Sequence, residues 1–231
     1  GMFITLEGVE GSGKSTQAER LAERLRVAGH AARHTREPGG TALAGALRAL
    51  LLHPEAAVAA LAAAHLIASA DIASAEMSEA MLPVTELFIF AAARAQHVAR
   101  IRAWLAAGEV VVCDRFADTT RAYQGYGRGL DQASIVAVER LATGGLHPDL
   151  TLLCDLPAAE GQRRKRAAHT AGGEWNRLDA EVLAFHDRVR AGYLALASAE
   201  PARWVVLDAR QAPSALAEDV WAAVSARLTP G

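Results

Sequence analysis

Five short apolar runs recur along the chain, and stretches with helical spacing separate them. The runs are MFITLEG (2–8), AARHT (31–35), EVVVCDR (109–115), LTLLCDL (150–156) and WVVLDA (204–209). Near-continuous apolar runs of this length are typical of strands buried on both faces. Between Ser15 and Gly29 the apolar residues instead follow helical spacing. Strands that alternate with helices predict an α/β fold, a doubly wound parallel five-stranded sheet flanked by helices.

The loop after the first predicted strand carries the most specific pattern. Residues 8–15 read GVEGSGKS and match G-x-x-x-x-G-K-[ST] between a strand and a helix, which is the setting of a phosphate-binding loop. Glycines let backbone N–H groups surround phosphate oxygens, Lys14 reaches the β and γ phosphates, and the Ser15 hydroxyl can bind Mg²⁺. The fold class is therefore P-loop NTPase-type. The predicted nucleotide-binding residues are Gly8, Val9, Glu10, Gly11, Ser12, Gly13, Lys14, Ser15 and Thr16.

Two further polar groups follow predicted strands, at the edge of the sheet where such folds bind ligands. Asp114 can hold Mg²⁺ together with Ser15, and Arg115 beside it can bind a second anion. The segment TREPGGT (35–41) places Arg36 next to a Pro-Gly-Gly turn, and a guanidinium binds phosphate through two N–H groups at once. Two neighbouring anion sites predict that phosphate passes from one molecule to another rather than to water.

Two other classes of nucleotide-binding protein fit the sequence less well. A GTPase needs an Asn-Lys-x-Asp motif, and neither Lys14 nor Lys165, the two lysines of the chain, is followed two places on by Asp. A mechanical ATPase usually ends the equivalent strand in paired acids, whereas here an arginine follows the aspartate.

The motifs EGVEGSGKST, REPGGT, FAAARAQH, DRFADTTRAYQG and PDLTLLCDLP occur in an order and spacing that strongly resemble the thymidylate kinase family. The resemblance runs from Met2 to about Leu228. It implies a phosphotransferase that moves the γ-phosphate of ATP to dTMP, giving ADP and dTDP for dTTP synthesis, with Mg²⁺ as cofactor and a homodimeric assembly.

The same resemblance implies roles in substrate binding for Glu10, Arg36, Pro38, Phe90, Arg94, Arg115, Thr119, Tyr123 and Gln124. Arg36 and Arg115 would hold the dTMP phosphate, Phe90 would stack on thymine, and Arg94 would bond a carbonyl of the base. Tyr123 and Gln124 would line the deoxyribose and the base, Thr119 would face the base, and Glu10 would lie near the 3′-hydroxyl. From the sequence alone, Phe90 is equally well explained as a core residue of its helix.

A basic segment predicts a lid at about residues 160–178. Some members of the family place an arginine in the phosphate loop directly after the acid, but here that position is Gly11. The missing charge should come from the segment GQRRKRAAHTAGGEWNR (161–177), whose arginines would reach the transferring phosphate when the lid closes. Arg164 or Arg166 is the expected catalytic cation, alongside Lys14 and Arg115, and the sequence does not choose between the two.

The rest of the chain predicts one domain over residues 1–231, interrupted by an alanine-rich stretch at about residues 54–82. The positions of Leu61, His65 and Ile67 permit one or two amphipathic helices there, and a surface insertion is the simpler interpretation because such insertions cost little stability. Its role stays open.

The net charge and the cysteine content limit which partners and which cellular location the sequence predicts. The formal net charge of −2 gives no case for binding nucleic acid, and no apolar stretch is long enough to predict a membrane span. Cys113 and Cys154 follow apolar runs far apart, which favours buried reduced thiols and a cytoplasmic location.

Two other hypotheses for the function remain: a kinase for another nucleotide or nucleoside, and a nucleotide-binding module that switches a partner without turnover.

Overall fold

One parallel sheet organises the computed structural model, which describes residues 1–66 and 80–228. Its strands are β1 (Met2–Glu7), β2 (Ala32–Arg36), β3 (Val110–Asp114), β4 (Leu150–Asp155) and β5 (Trp204–Asp208). They lie in the order β2-β3-β1-β4-β5 and all pairs are parallel. The predicted doubly wound α/β sheet is confirmed, including the weakly apolar second strand.

Helices cover both faces of the sheet. Their bounds are α1 (Lys14–Val27), α2 (Ala42–Leu52), α3 (Pro54–Ala63), α4 (Pro83–Ala106), α5 (Ala117–Thr120), α6 (Gln132–Thr143), α7 (Ala158–Thr170), α8 (Leu183–Ala199) and α9 (Pro213–Ser225). A π-helical segment, Arg121–Gly127, continues α5.

Alternation along the strands divides the core between the two faces. Ile4, Leu6 and Val112 are buried in one apolar cluster with Leu21 of α1. Their neighbours along the strands, such as Phe3 and Val111, are buried in a second cluster with Val98 and Ile101 of α4. Each face therefore has its own helix layer, which is why the strands are apolar at nearly every position.

The strand register brings the polar strand ends to one edge. Leu6 of β1 and Arg36 of β2 both lie opposite Asp114 of β3. The loop after β1, the turn after β2 and the Asp114-Arg115 pair after β3 therefore meet at the carboxyl edge of the sheet, where open α/β sheets bind ligands.

The alanine-rich stretch begins with α3, none of whose residues is fully buried. Leu61 and His65 lie in the part of this stretch that the structure describes, while the predicted helical position at Ile67 lies outside the described residues. No single helix within residues 1–66 and 80–228 has both the length and the hydropathy of a membrane span. Taken together, α2 and α3 have the length and the composition of a membrane span, but they are bent by 117° relative to each other.

Candidate active site

The loop between β1 and α1 depends on glycines for its path. Gly8, Gly11 and Gly13 have φ values of 146°, 72° and 84°, which side chains other than glycine rarely adopt. Gly13 is the N-cap of α1 and offers no side-chain acceptor. The first N–H groups of α1 thus keep their capacity for an external anion, which the helix dipole also favours. The predicted nucleotide-binding residues, 8–16, form this loop and the start of α1.

Lys14 folds back over the phosphate loop. It is only 5% exposed, and its Nζ donates to the Val9 carbonyl at 3.3 Å and lies 3.6 Å from the Glu10 carboxylate. Burial and the charge of Arg115 lower the pKa of the Lys14 ammonium, while Glu10 acts in the opposite direction. A buried ammonium beside the phosphate loop suits a site for phosphate oxygens.

Ser15 and Asp114 meet across the sheet edge, as the metal-site prediction requires. Ser15 Oγ donates to Asp114 Oδ2 at 2.5 Å. The other carboxylate oxygen, Oδ1, is buried without a hydrogen-bond partner in the described part of the chain. These oxygens fit Mg²⁺, which typically takes one or two protein ligands and completes its shell with water and phosphate. Residues 1–66 and 80–228 hold no group of three or more His, Cys, Asp or Glu side chains suited to a metal.

Gly11 and Gly161 bring the phosphate loop against the first turn of α7. A Cβ at position 11 would lie 2.2 Å from the Gly161 carbonyl oxygen, and a Cβ at position 161 would lie 2.3 Å from the Glu10 carbonyl oxygen. Real Cβ atoms do not approach backbone so closely, so both positions must be glycine for these segments to pack as they do.

Arg115 occupies the centre of the site. Its backbone φ is 70°, a strained value for a residue with a side chain. The guanidinium donates to Glu10 at 2.6 Å and to the hydroxyls of Tyr123 and Tyr193 at 3.0 Å each. Burial would raise the pKa of the Glu10 carboxyl, but the charges of Lys14 and Arg115 outweigh it and hold that pKa well below its usual range. Glu10 is therefore ionised and orders the surrounding cations.

The turn after β2 is anchored to α4 by Glu37. The buried Glu37 carboxylate accepts from Arg94 Nε at 2.7 Å and lies 3.0 Å from His97 Nδ1. Gly40 must be glycine because a Cβ there would lie 2.2 Å from His97 Nε2. The neighbouring Arg36 is exposed. The turn thus presents Arg36 and Pro38 to the cavity from a fixed base.

The predicted base-binding residues fall into two groups. Phe90 and Thr119 line the cavity, and Phe90 is only 3% exposed whereas Phe88 is 57% exposed. Thr119 donates to the buried Glu7 carboxylate at 2.5 Å. Arg94 and Gln124 are buried and are not part of the cavity lining.

Arg94 makes four hydrogen bonds from its five N–H groups. The acceptors are the carboxylates of Glu37 and Glu139, the Thr120 hydroxyl and the Phe116 carbonyl. One N–H of Nη2 has no partner within the described residues. Arg94 therefore joins several buried groups by hydrogen bonds, and it retains one N–H that a ligand could accept from.

A single cavity joins the phosphate loop to the other predicted groups. Its lining includes the following predicted site residues: Glu10, Lys14, Ser15, Arg36, Pro38, Phe90, Asp114, Arg115, Thr119 and Tyr123. Residues that were predicted to bind two different phosphate compounds therefore share one space.

The lid segment contributes a cation other than the two expected. Lys165 lines the cavity, and its Nζ lies 3.4 Å from Asp179 Oδ2. Arg164 instead donates to Glu160 at 2.9 Å and to the Ala209 carbonyl at 3.0 Å. Arg166 is not part of the cavity lining. The catalytic roles predicted for Arg164 and Arg166 remain predictions, and Lys165 is the lid cation that this conformation brings to the cavity.

Sequence reasoning also missed Arg48. It lies on α2, lines the cavity, and donates to the Pro38 carbonyl at 3.3 Å. Burial, together with the charge of Arg36, lowers its pKa. The available signal was its position twelve residues after Arg36, but the abundance of arginine in this chain hides such a signal.

Comparison with known proteins identifies the family of the chain. The thymidylate kinase family model matches residues 6–78 and 70–220. The thymidylate kinase of Solidesulfovibrio magneticus is 48% identical over 231 residues, covering 98% of this chain and 100% of the relative. That of Thermomicrobium roseum is 46% identical over 230 residues, covering 99% of this chain and 97% of the relative.

A solved structure leads to the same assignment. The crystal structure of thymidylate kinase from Ehrlichia chaffeensis has a TM-score of 0.68 and 30% sequence identity, and the match covers 96% of this chain and 98% of the other. The predicted P-loop NTPase-type fold and the predicted phosphotransferase activity on dTMP with ATP are thereby confirmed. The chain belongs to the thymidylate kinase family.

Proposed function

We propose that ATP and dTMP meet end to end in the cavity between the phosphate loop, the turn after β2 and the lid. The observation that carries this proposal is that Lys14, Arg36 and Arg115 line one cavity. The ATP phosphates would lie over the phosphate loop and the N-terminus of α1. The dTMP phosphate would lie on the other side of Arg115, within reach of Arg36 and Arg48.

In this arrangement the protein lowers the barrier by positioning and charge. Lys14 and Arg115 stabilise the charge that develops on the phosphoryl oxygens. Ser15 and Asp114 would hold Mg²⁺, which supplies charge neutralisation and orientation of the phosphates when it is bound. Glu10 keeps Arg115 in place and accepts a hydrogen bond from the 3′-hydroxyl of the acceptor. Backbone strain at Arg115 is the cost of holding its guanidinium there.

The base would lie against Phe90 with Thr119 facing it, and Tyr123 would lie at the sugar. The spare N–H of Arg94 would donate to the carbonyl at position 4 of thymine, and the unpartnered Gln124 Oε1 would accept from N3–H. Cytosine offers the opposite pattern, an amino group at position 4 and an acceptor at N3. Buried polar groups left without partners are costly, so such a site should reject cytosine strongly.

Lys165 would be the lid cation that neutralises the transferring phosphate. Its ammonium lies in the cavity, and its charge contributes to the lowered pKa of Glu10. Asp179 holds it from behind. Arg164 and Arg166 would then act in another lid position or stabilise α7.

We also propose a homodimer that forms through α2 and α4. Leu43, Val84 and Phe88 are 57%, 48% and 57% exposed on these two packed helices. Exposed large apolar side chains on neighbouring helices are typical of protein interfaces. The proposal includes a cytoplasmic location, which is supported by Cys113 and Cys154, both buried free thiols.

The assignment of the acceptor is tested with a panel of monophosphates at fixed ATP and Mg²⁺. We expect kcat/KM for dTMP to exceed that for dCMP by at least about a hundredfold, because the wrong base leaves two buried groups unsatisfied. Faster phosphorylation of dCMP would contradict the proposed base site. Faster phosphorylation of dUMP, which offers the same hydrogen-bond pattern as dTMP, would contradict dTMP as the preferred acceptor. For the metal, Asp114→Asn should raise the Mg²⁺ concentration needed for half-maximal rate, and an unchanged requirement would exclude Asp114 as a ligand.

A further inference from the structure

Gln124 is buried in a setting that fixes which way its amide faces. Its side chain lies in the π-helical segment after α5, is fully buried, and donates from Nε2 to Glu86 Oε1 at 2.6 Å. The amide oxygen, Oε1, has no hydrogen-bond partner among the residues that the structure describes. An unpartnered buried carbonyl is costly, so a ligand that donates a hydrogen bond to it is the natural complement.

Glu86 is the group that decides this orientation. It lies fully buried in the first turn of α4. Arg128 donates to both of its oxygens at 3.2 Å, and Arg177 Nη1 lies 2.5 Å from Oε2. Burial would raise the pKa of the Glu86 carboxyl, but the hydrogen bonds and charges of the two arginines outweigh it and lower that pKa. Glu86 is therefore ionised at neutral pH.

An ionised carboxylate only accepts hydrogen bonds. If the Gln124 amide turned over, its oxygen would face the Glu86 carboxylate, and the two groups would repel each other. The two ends of a glutamine amide have nearly the same shape, so packing alone does not choose between them. The charge of Glu86 makes the choice, and it leaves the unpartnered acceptor oxygen on the side of the Gln124 amide away from Glu86.

We propose that Glu86 is a positioning residue for base selectivity, because it holds Gln124 with its acceptor atom toward the base. A base with a donor at N3, such as thymine, is then accepted, and a base with an acceptor at N3, such as cytosine, is rejected. This inference rests on the proposed role of Gln124 in base binding. It assigns the selectivity to a residue that does not touch the substrate.

The test compares kcat and KM for dTMP and dCMP in Glu86→Gln. A glutamine at position 86 can donate or accept, so the Gln124 amide is free to turn over. We expect the ratio of kcat/KM for dTMP over dCMP to fall by about ten- to a hundredfold, the size of one hydrogen bond to a buried group. The loss should appear mainly in KM for dTMP, with KM for ATP within about twofold of the wild type, since the described partners of Glu86, which are Gln124, Arg128 and Arg177, lie outside the phosphate loop.

Two further variants separate the role of Glu86 from a merely structural one. Arg177→Gln removes an ion-pair partner of Glu86 but leaves the carboxylate facing Gln124, so the dTMP/dCMP ratio should be unchanged. Glu86→Asp keeps an acceptor-only group and should preserve the ratio even where KM rises. This variant keeps the proposal testable if Glu86→Gln does not fold. An unchanged ratio in folded Glu86→Gln, or a lost ratio in Glu86→Asp or Arg177→Gln, would overturn the proposal.

Gln124→Leu separates the role of Gln124 in base binding from the orientation that Glu86 gives to its amide. If it leaves the dTMP/dCMP ratio unchanged, the proposed role of Gln124 in the base site is wrong. If it lowers the ratio while Glu86→Gln does not, Gln124 keeps its role and only the orientation by Glu86 is refuted.

Discussion

The Arg115 guanidinium donates a 2.6 Å hydrogen bond to the Glu10 carboxylate, which joins the end of β3 to the phosphate loop. The two residues are 105 positions apart in the sequence, and each also contacts the Tyr123 hydroxyl. Glu10 further lies 3.6 Å from Lys14. The donor and acceptor sides of the cavity are therefore connected by one chain of charges, and a change at either residue should affect both substrates.

Arg115→Lys should lower kcat by about a hundredfold or more. A lysine ammonium cannot hold Glu10 and two tyrosines and still offer a two-point contact to phosphate. Steady-state kinetics with both substrates measures the effect. A variant with nearly unchanged kcat would show that Arg115 serves the fold rather than the transfer step.

Arg36→Ala should raise KM for dTMP by about ten- to a hundredfold, since it removes a charged contact to the acceptor phosphate. KM for ATP should change by no more than about twofold. Arg33→Ala is the matched control, because Arg33 lies on the same strand, pairs with Glu109 and does not line the cavity. Equal effects of Arg36→Ala on both substrates would remove Arg36 from the acceptor site.

Lys165→Ala should lower kcat by about tenfold or more, because it removes a partly desolvated cation close to the transferring group. Arg166→Ala, one position away and outside the cavity lining, should change kcat by less than about threefold. The comparison needs only saturating concentrations of both substrates. A larger loss of kcat in Arg166→Ala than in Lys165→Ala would favour an arginine as the catalytic cation of the lid.

Glu7 should make stability fall as pH rises. Burial, and next the negative charge of Asp118, raise the pKa of its carboxyl from 4.5 to about 7. Between these values the folded protein binds the proton that the unfolded chain has released, so the free energy of unfolding decreases with pH across this window, by at most about 3 kcal/mol. Urea unfolding of the wild type and Glu7→Gln at pH 5, 6, 7 and 8 measures it. The stability of the wild type relative to Glu7→Gln should decline over this range, and a constant difference would contradict the shifted pKa.

Phe88→Asp should produce a folded monomer. A buried charge at the proposed interface has no partner and is strongly unfavourable. Sedimentation analysis over a range of concentrations compares this variant with Val27→Asp, which places the same charge at a site that is 81% exposed at the end of α1. A monomeric wild type, or a dimer that survives Phe88→Asp, would refute the proposed interface.

The sequence predicted those features that follow from local pattern. The strands, the phosphate loop and the Asp114-Arg115 pair were found because apolar runs and glycine spacing are local signals. Whether Phe90 served the core or the cavity could not be decided, because Phe88 and Phe90 are two positions apart on one helix and only packing separates them. In the structure Phe90 belongs to an apolar core cluster and also lines the cavity, while Phe88 lies at the surface.

Other features depend on contacts between distant segments. Arg48 and Glu86 carry no motif of their own, and their surroundings come from α2, α4 and the π-helical segment together. Lys165 did carry a signal, since it is one of two lysines in an arginine-rich chain. The direction of a side chain on the lid helix, however, depends on how the lid packs, which residue type and spacing do not determine.

The close approach of Gly11 and Gly161 bears on how this enzyme could have evolved from one with an arginine in the phosphate loop. Arginine at position 11 would drive its Cβ into the backbone of residue 161 and would also require an unfavourable φ. The change would have to be accompanied by a shift of the lid helix, so a single substitution should pass through a damaged intermediate. In this conformation, backbone packing rather than charge therefore excludes an arginine at position 11 of this chain.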